Sequence, residues 1–301
     1  MITLLSAPSN LGLRPPEPGS VPGTAKAPEA LREAGLFRRF AELGSTDSGV
    51  VLAGRYVDDD ATRAPGHVRN ESAIVDHSRR LAARIGAAFD RGEAPLVIGG
   101  DCAILLGAGL ATVRRGGIGL VHVDGHTDFR HPGNSNECAS LAGEALAAAI
   151  GRHSPAVADI DGLGPSFPAE RTAHIGHRDD DEDLEEVRGI LGGVFSSADV
   201  LSLDAARIGA EAAAVAGSAY WLQVDVDVLD AAIMPAVDSP DPGGVGAAEL
   251  TALLRELAPG AVGASITVFD PDLDPDGRYA RLLVEILTEG LADLGSRAPR
   301  P

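Results

Sequence analysis

Two kinds of hydrophobic pattern alternate along this chain. The first is short and nearly continuous, rich in Val, Ile and Leu: residues 2–8 (ITLLSAP), 49–54 (GVVLAG), 95–100 (PLVIGG), 117–124 (GIGLVHVD), 172–177 (TAHIGH), 200–203 (VLSL), 220–228 (YWLQVDVDV) and 260–269 (GAVGASITVF). Such runs read as strands buried on both faces. The second kind repeats apolar residues at helical spacing. It covers 27–40, with Pro28 near its start, and 71–92, closed by Gly92 as a C-cap. It also covers about 103–115, 139–151, 247–258 and 277–295. Strand–helix alternation of this kind predicts an α/β fold: a three-layer αβα sandwich around a mostly parallel sheet. No repeat and no long linker divides the chain, so residues 1–301 read as one domain. Segments 14–24, 131–137 and 153–169 read as loops, and the tail after Gly295 is expected to fray.

Composition narrows the function. Hydrophobic residues make up 45% of the chain, enough for a large interior, but aromatic residues only 4%, so the core must be aliphatic. The formal charge of −19 disfavours nucleic acid and anionic membranes as partners. The two cysteines, Cys102 and Cys138, form neither a CxxC motif nor a disulfide framework. The N-terminus lacks the basic start and long apolar run of a signal peptide, and no stretch is long enough to span a bilayer. The expectation is a cytoplasmic protein acting on a small molecule.

Ligand sites of open parallel sheets form at the carboxyl ends of the strands. Three runs here end in metal-capable side chains. The first ends in Asp101 and Cys102, the second in Asp124, His126 and Asp128, and the third in Asp225, Asp227 and Asp230. On an extended strand, alternate spacing points Asp124, His126 and Asp128 to one side, and likewise Asp225 and Asp227. Buried carboxylates brought this close cannot all stay ionised without compensation. Divalent cations supply it, and a metal pair can activate water at neutral pH. The segment "VIGGDCAILLGAG" lacks the GxGxxG spacing and the ribose-binding acid of a dinucleotide site, which sets that reading behind a metal site.

"VIGGDC", "VHVDGHTD" and "LQVDVDVLD" resemble the three metal-binding motifs of the ureohydrolase family, which contains arginase, agmatinase and formimidoylglutamase. "PGTAKAPEALREAGL", "HIGHRDDDEDLEE" and "FDPDLDPDGRYARL" resemble further family segments in the right order, so the resemblance spans nearly the whole chain. It implies an arginase-like fold and hydrolysis of a linear amidine- or guanidino-type C–N bond by a metal-bridging hydroxide. It implies that one metal binds Cys102, Asp124, Asp128 and Asp225, and the other Asp124, His126, Asp225 and Asp227. Asp128 would accept a proton. The implied cofactor is Mn²⁺, two per chain, and the implied assembly is a homo-oligomer, trimer or hexamer.

Several positions depart from the family pattern. Cys102 stands where the family has a His ligand. It is similar in this to the hydroxyarginine hydrolase branch, and a thiolate there favours Zn²⁺ or a single metal. The alternative for Cys102 is a small residue packed against the sheet. Val268 replaces the Glu that pairs with a guanidinium, with Asp270 two residues further on. The family's proton-shuttle His is missing from its usual place, leaving His131 as a candidate catalytic residue or a solvated loop residue. Arg130 and Asp181 occupy positions that contact the substrate's carboxylate and ammonium in arginases, although Asp181 equally suits a solvated helix start. Two other readings remain open: a single-metal, deacetylase-like amidohydrolase, and a non-catalytic ureohydrolase-like binding protein.

Overall fold

A computed structural model describes residues 1–299. Eight strands form one sheet: β1 (Ile2–Ala7), β2 (Thr46–Val50), β3 (Ala94–Gly99), β4 (Gly119–Val123), β5 (Thr172–His177), β6 (Gly193–Ser196), β7 (Tyr220–Asp225) and β8 (Ala261–Thr267). Their order is β2-β1-β3-β8-β7-β4-β5-β6, and every pairing is parallel. The sheet is thus wholly parallel rather than mostly so. Among the described residues no helix is long and apolar enough to cross a membrane.

Helices cover both faces, because strands apolar on both sides must be buried on both sides. On one face, Leu31, Phe40, Ile208, Leu250 and Leu283, from helices 27–33, 36–42, 205–216, 247–257 and 278–290, pack against Val121, Val123 and Leu222 of the sheet. On the other, Ile74, Leu81, Leu105 and Leu146, from helices 71–90, 105–113 and 145–149, pack against Leu5, Val97 and Leu120. The three-layer αβα architecture is as the pattern predicts.

The differences are local and have identifiable causes. The helix expected over 27–40 is broken at Gly35, whose φ of 104° no helix interior accommodates. The strand expected at 49–54 lies earlier, at 46–50, on the sheet edge. Residues 200–203 are helical, not extended: Ser196 and Asp199 form a reciprocal capping box that starts helix 197–203, and the strand is the preceding β6. The helix expected over 139–151 shrinks to a 3-10 turn, Leu141–Glu144, and one α turn, Ala145–Ala149. Past Gly295 the backbone does not simply fray: the Arg297 amide donates to the Pro259 carbonyl at 2.8 Å. Residues 300–301 lie outside the described residues.

The order of the strands positions the site. β3, β8, β7 and β4 are the four central strands, and the three candidate motifs follow β3, β4 and β7. The turn after β3 passes so close to the loop after β1 that a Cβ on Gly100 would sit 1.7 Å from the Ser9 carbonyl oxygen. Gly100→Ala is therefore expected to destabilise the protein by at least the ~1–3 kcal/mol of an overpacked core site. Thermal denaturation of the variant checks this, and an unchanged melting temperature would contradict the close approach.

Candidate metal centre

The motif carboxylates reach the crevice through a repeated turn, not through a long extended strand. β4 ends at Val123 and β7 at Asp225. The Asp124 carboxylate then accepts from the His126 amide at 2.8 Å, and Asp225 accepts from the Asp227 amide at 2.9 Å. Asp101 accepts from Ala103 and Asp270 from Asp272 in the same way, each at 2.9 Å. These are Asx turns, in which a side chain bonds the backbone two residues on. The expectation that Asp124, His126 and Asp128 alternate along an extended strand is corrected accordingly. Asp128 has φ 48°, and Asp227 sits in a 3-10 turn over Val226–Val228.

Asp101 faces away from the cluster. It accepts from the Ser9 hydroxyl at 2.7 Å and the Gly12 amide at 3.2 Å, tying the turn after β3 to the loop after β1. This leaves Cys102 to face inward, its Sγ 2.7 Å from Asp225 Oδ2. Cys102, Asp124 and Asp225 offer ligand atoms all within 4.8 Å of one another, as do Asp124, His126 and Asp227. His126 Nδ1 lies 2.9 Å from Asp227 Oδ2 and its Nε2 lies 3.0 Å from Asp241 Oδ2. A metal-bound imidazole held from behind by a carboxylate has this arrangement. Asp241 was not singled out from the sequence.

Electrostatics strains the cluster as protein alone. Burial, then neighbouring carboxylates, pushes Asp124 well above the usual carboxylate range. Burial and Asp227 do the same to Asp225. Burial also raises Asp128 well above that range, against the opposing charge of His126. For His126 burial acts downward, but its bonds to Asp227 and Asp241 outweigh it and raise it to about 11. The Cys102 thiol is pushed well up by burial and by Asp225. Asp124 Oδ2 and Asp128 Oδ2 are buried without any hydrogen-bond partner. Orphaned buried acceptors of this kind call for an explanation, and a divalent cation supplies one. It offsets the charge and deprotonates a coordinating thiol. The donor set fits divalent cations.

The cluster floors a cavity of about 500 Å³. Arg130 and Asp181 both line it, yet both are engaged. Arg130 Nη2 pairs with Glu182 at 2.7 Å, and Asp181 accepts from the Thr127 amide and hydroxyl at 2.9 and 2.8 Å. His131 does not line it. Its Nδ1 accepts from the Gly133 amide and its Nε2 lies 3.1 Å from Glu186, so the structure uses this ring to brace its loop. Asp270 does not reach in either. Its carboxylate accepts from the Gly23 amide at 3.1 Å, because the chain turns at Val268, φ 73°. Among the lining residues, Arg14, exposed at the rim, Asp238 and Arg178 were given no individual role from the sequence. Asp238 is open to the cavity, yet enclosure by the surrounding protein and the charge of Asp227 raise its carboxyl to about 7. It lies in the loop VDSPDPGG, residues 237–244, which resembles a family segment at the mouth of the site, but no spacing singled out the residue itself.

The sequence profile of the arginase family matches residues 4–292. The chain belongs to the arginase family. It is 28% identical over 281 residues to an arginase of Brevibacillus brevis, covering 90% of this chain and 93% of that one. It is 27% identical to a formimidoylglutamase of Aeromonas hydrophila, over 74% of this chain and 70% of that one. The solved arginase of Bacillus caldovelox superposes with a TM-score of 0.85 at 26% identity, covering 96% and 97% of the two chains. The family consists of metal-dependent hydrolases of guanidino and amidino C–N bonds, and at that level this chain is such an enzyme.

The pKa shifts set a pH dependence for the metal-depleted protein. Asp124, Asp128 and Asp225 have folded pKa values above the unfolded value of about 3.9. Their stabilisation is complete below that value and is lost as pH rises through the folded pKa. His126, raised to about 11, likewise loses its contribution above its unfolded value of about 6.5. These four groups therefore contribute less to the chelated protein at pH 8 than at pH 5, while burial lowers the pKa values of His77, His122, His174 and His177, which favour the fold as pH rises. The readout is therefore the gain in melting temperature on adding Mn²⁺, expected to be larger at pH 8 than at pH 5. Mn²⁺ at 100-fold excess over Kd should add about 2.7 kcal/mol per site. Melting curves with chelator or Mn²⁺ test this; no response to divalent cations at any pH would count against a cation site.

Proposed function

We propose that this arginase-family chain hydrolyses the C–N bond of an amidine-type group in a small nitrogenous substrate. It would do so with two divalent metals held by Cys102, Asp124, His126, Asp128, Asp225 and Asp227. The observation that carries the reading is the convergence of these donors, all but the fully buried Asp124 on one cavity floor, with orphaned carboxylate oxygens. Mn²⁺ suits so many carboxylates, and the Cys102 thiolate makes Zn²⁺ the competitor. When bound, the metals supply Lewis acidity and acidify water. Asp128, at the cavity floor with Oδ2 unpartnered, is the group that would hold a proton during attack. His131 is left out of this machinery because its ring is committed to Gly133 and Glu186.

The substrate differs from arginine in the part that meets Val268. An unpaired guanidinium against this apolar side chain would be costly to desolvate. Asp238 is the carboxylate left to meet a cationic head, and the Arg14 and Arg130 guanidinium groups suit an anionic end at the rim. The chain is read as one domain, a cytoplasmic enzyme and a homo-oligomer, trimer or hexamer, as family resemblance implies.

Protein loaded with Mn²⁺ or Zn²⁺ is to be assayed against guanidino acids, guanidino amines, N-hydroxyguanidines and N-formimino amino acids, reading release of urea, hydroxyurea, formamide or ammonia. At least one class should turn over, with L-arginine a poor substrate. Asp128→Asn should lower kcat by ~10²-fold or more. Asp238→Asn should raise KM for a cationic substrate about tenfold or more, the worth of a charged hydrogen bond. Two-metal protein that turns over nothing in the panel would overturn the reading.

A further inference from the structure

β4 carries a histidine that the metal motifs do not include. Strand alternation places Leu120, His122 and Asp124 on one face of the sheet, while Val121 and Val123 enter the core on the other. His122 is fully buried in mid-sheet, in register with His174 on β5 and Gln223 on β7. A buried imidazole needs partners for both nitrogens or is costly. His122 has one: its Nδ1 lies 2.9 Å from His174 Nδ1, where one ring donates and the other accepts. Its Nε2 has no hydrogen-bond partner, and neither has Asp124 Oδ2, 3.4 Å away, nor Asp128 Oδ2. His122, Asp124 and Asp128 nevertheless present ligand atoms all within 4.8 Å of one another.

Two buried, unpartnered atoms 3.4 Å apart, His122 Nε2 and Asp124 Oδ2, beside a third residue, Asp128, that brings a ligand atom within reach and has an unpartnered oxygen of its own, form a site whose missing partner is positive. A hydrogen on His122 Nε2 would satisfy one carboxylate oxygen at most and leave the other orphaned. A cation satisfies all three. This triangle also shares only Asp124 with the Cys102 and Asp225 group. His174, behind the ring, fixes its orientation as an outer partner does for a metal-bound imidazole.

We propose that His122 is a nitrogen ligand of the metal held by Asp124 and Asp128. The assignment rests on the metal-centre reading above and adds to it a donor from inside the strand. The centre thereby binds through two imidazoles, His122 within β4 and His126 in the turn that follows it.

The test uses the full-length protein, stripped of metal and reloaded with Mn²⁺ alone. Pulsed electron paramagnetic resonance, with ¹⁵N-histidine labelling, counts directly bonded imidazole nitrogens. Calorimetric titration gives metal number and affinity. The wild type should show two bonded imidazoles. His126→Asn should keep one, and His122→Asn should also keep one while binding one of its two metals at least tenfold more weakly. A wild type that binds metal through a single imidazole overturns the His122 assignment and leaves the metal centre standing. Wild-type protein that binds no Mn²⁺ overturns the metal centre and the assignment together. The wild-type count and the His126→Asn count decide the matter even if His122→Asn fails to fold.

Discussion

Everything at the carboxyl end of this sheet is organised around Asp124. It belongs to three separate groups of convergent ligand atoms, with Cys102 and Asp225, with His126 and Asp227, and with His122 and Asp128. A single carboxylate serving three sets of neighbours in a buried crevice cannot be held by hydrogen bonds alone. One oxygen is committed to the His126 amide, and the other is bare. The surrounding fold tolerates this because β4 lies among the central strands, where helices on both faces exclude water and four strand ends meet. Moving Asp124 to a sheet edge would allow water to solvate the carboxylates and would remove the need for a cation.

Much of this was legible in the sequence. Continuous apolar runs give β1, β3, β4, β5, β7 and β8, because strands buried on both faces have no polar alternation to blur them. The elements misread were those where a local hydrogen bond outweighed hydrophobicity. Ser196 and Asp199 turn VLSL into a helix, and Gly35 cuts a helix that periodicity joins. At the site, the spacing that made Asp124, His126, Asp225 and Asp227 candidates comes from Asx turns and not from strand alternation. An Asx turn also has a two-residue period, so the same spacing serves both geometries.

The residues that escaped are those whose significance is tertiary. His122 reads as a core residue in any strand, and only its register beside His174 and its approach to Asp124 show an unpartnered nitrogen 3.4 Å from a bare carboxylate oxygen. Asp238 and Arg14 come from loops more than 200 residues apart in a Pro-rich context and meet only across the cavity. Conversely, His131 fitted a catalytic role by sequence position, yet its neighbours Gly133 and Glu186 occupy both of its nitrogens.

Arg178 is buried with its guanidinium donating to main-chain carbonyls of Gly176, Asp227, Val228, Leu229 and Asp241. Its bonds therefore depend on where the chain runs from 226 to 241, and not on which side chains that stretch carries. Side chains such as those of Asp238 and Ser239 can change while the course of the cavity wall is kept by one arginine. A floor of metal-capable side chains thus lies beneath a wall held through its backbone. Such a division lets a side chain of that loop be exchanged without displacing the carboxylate cluster underneath it.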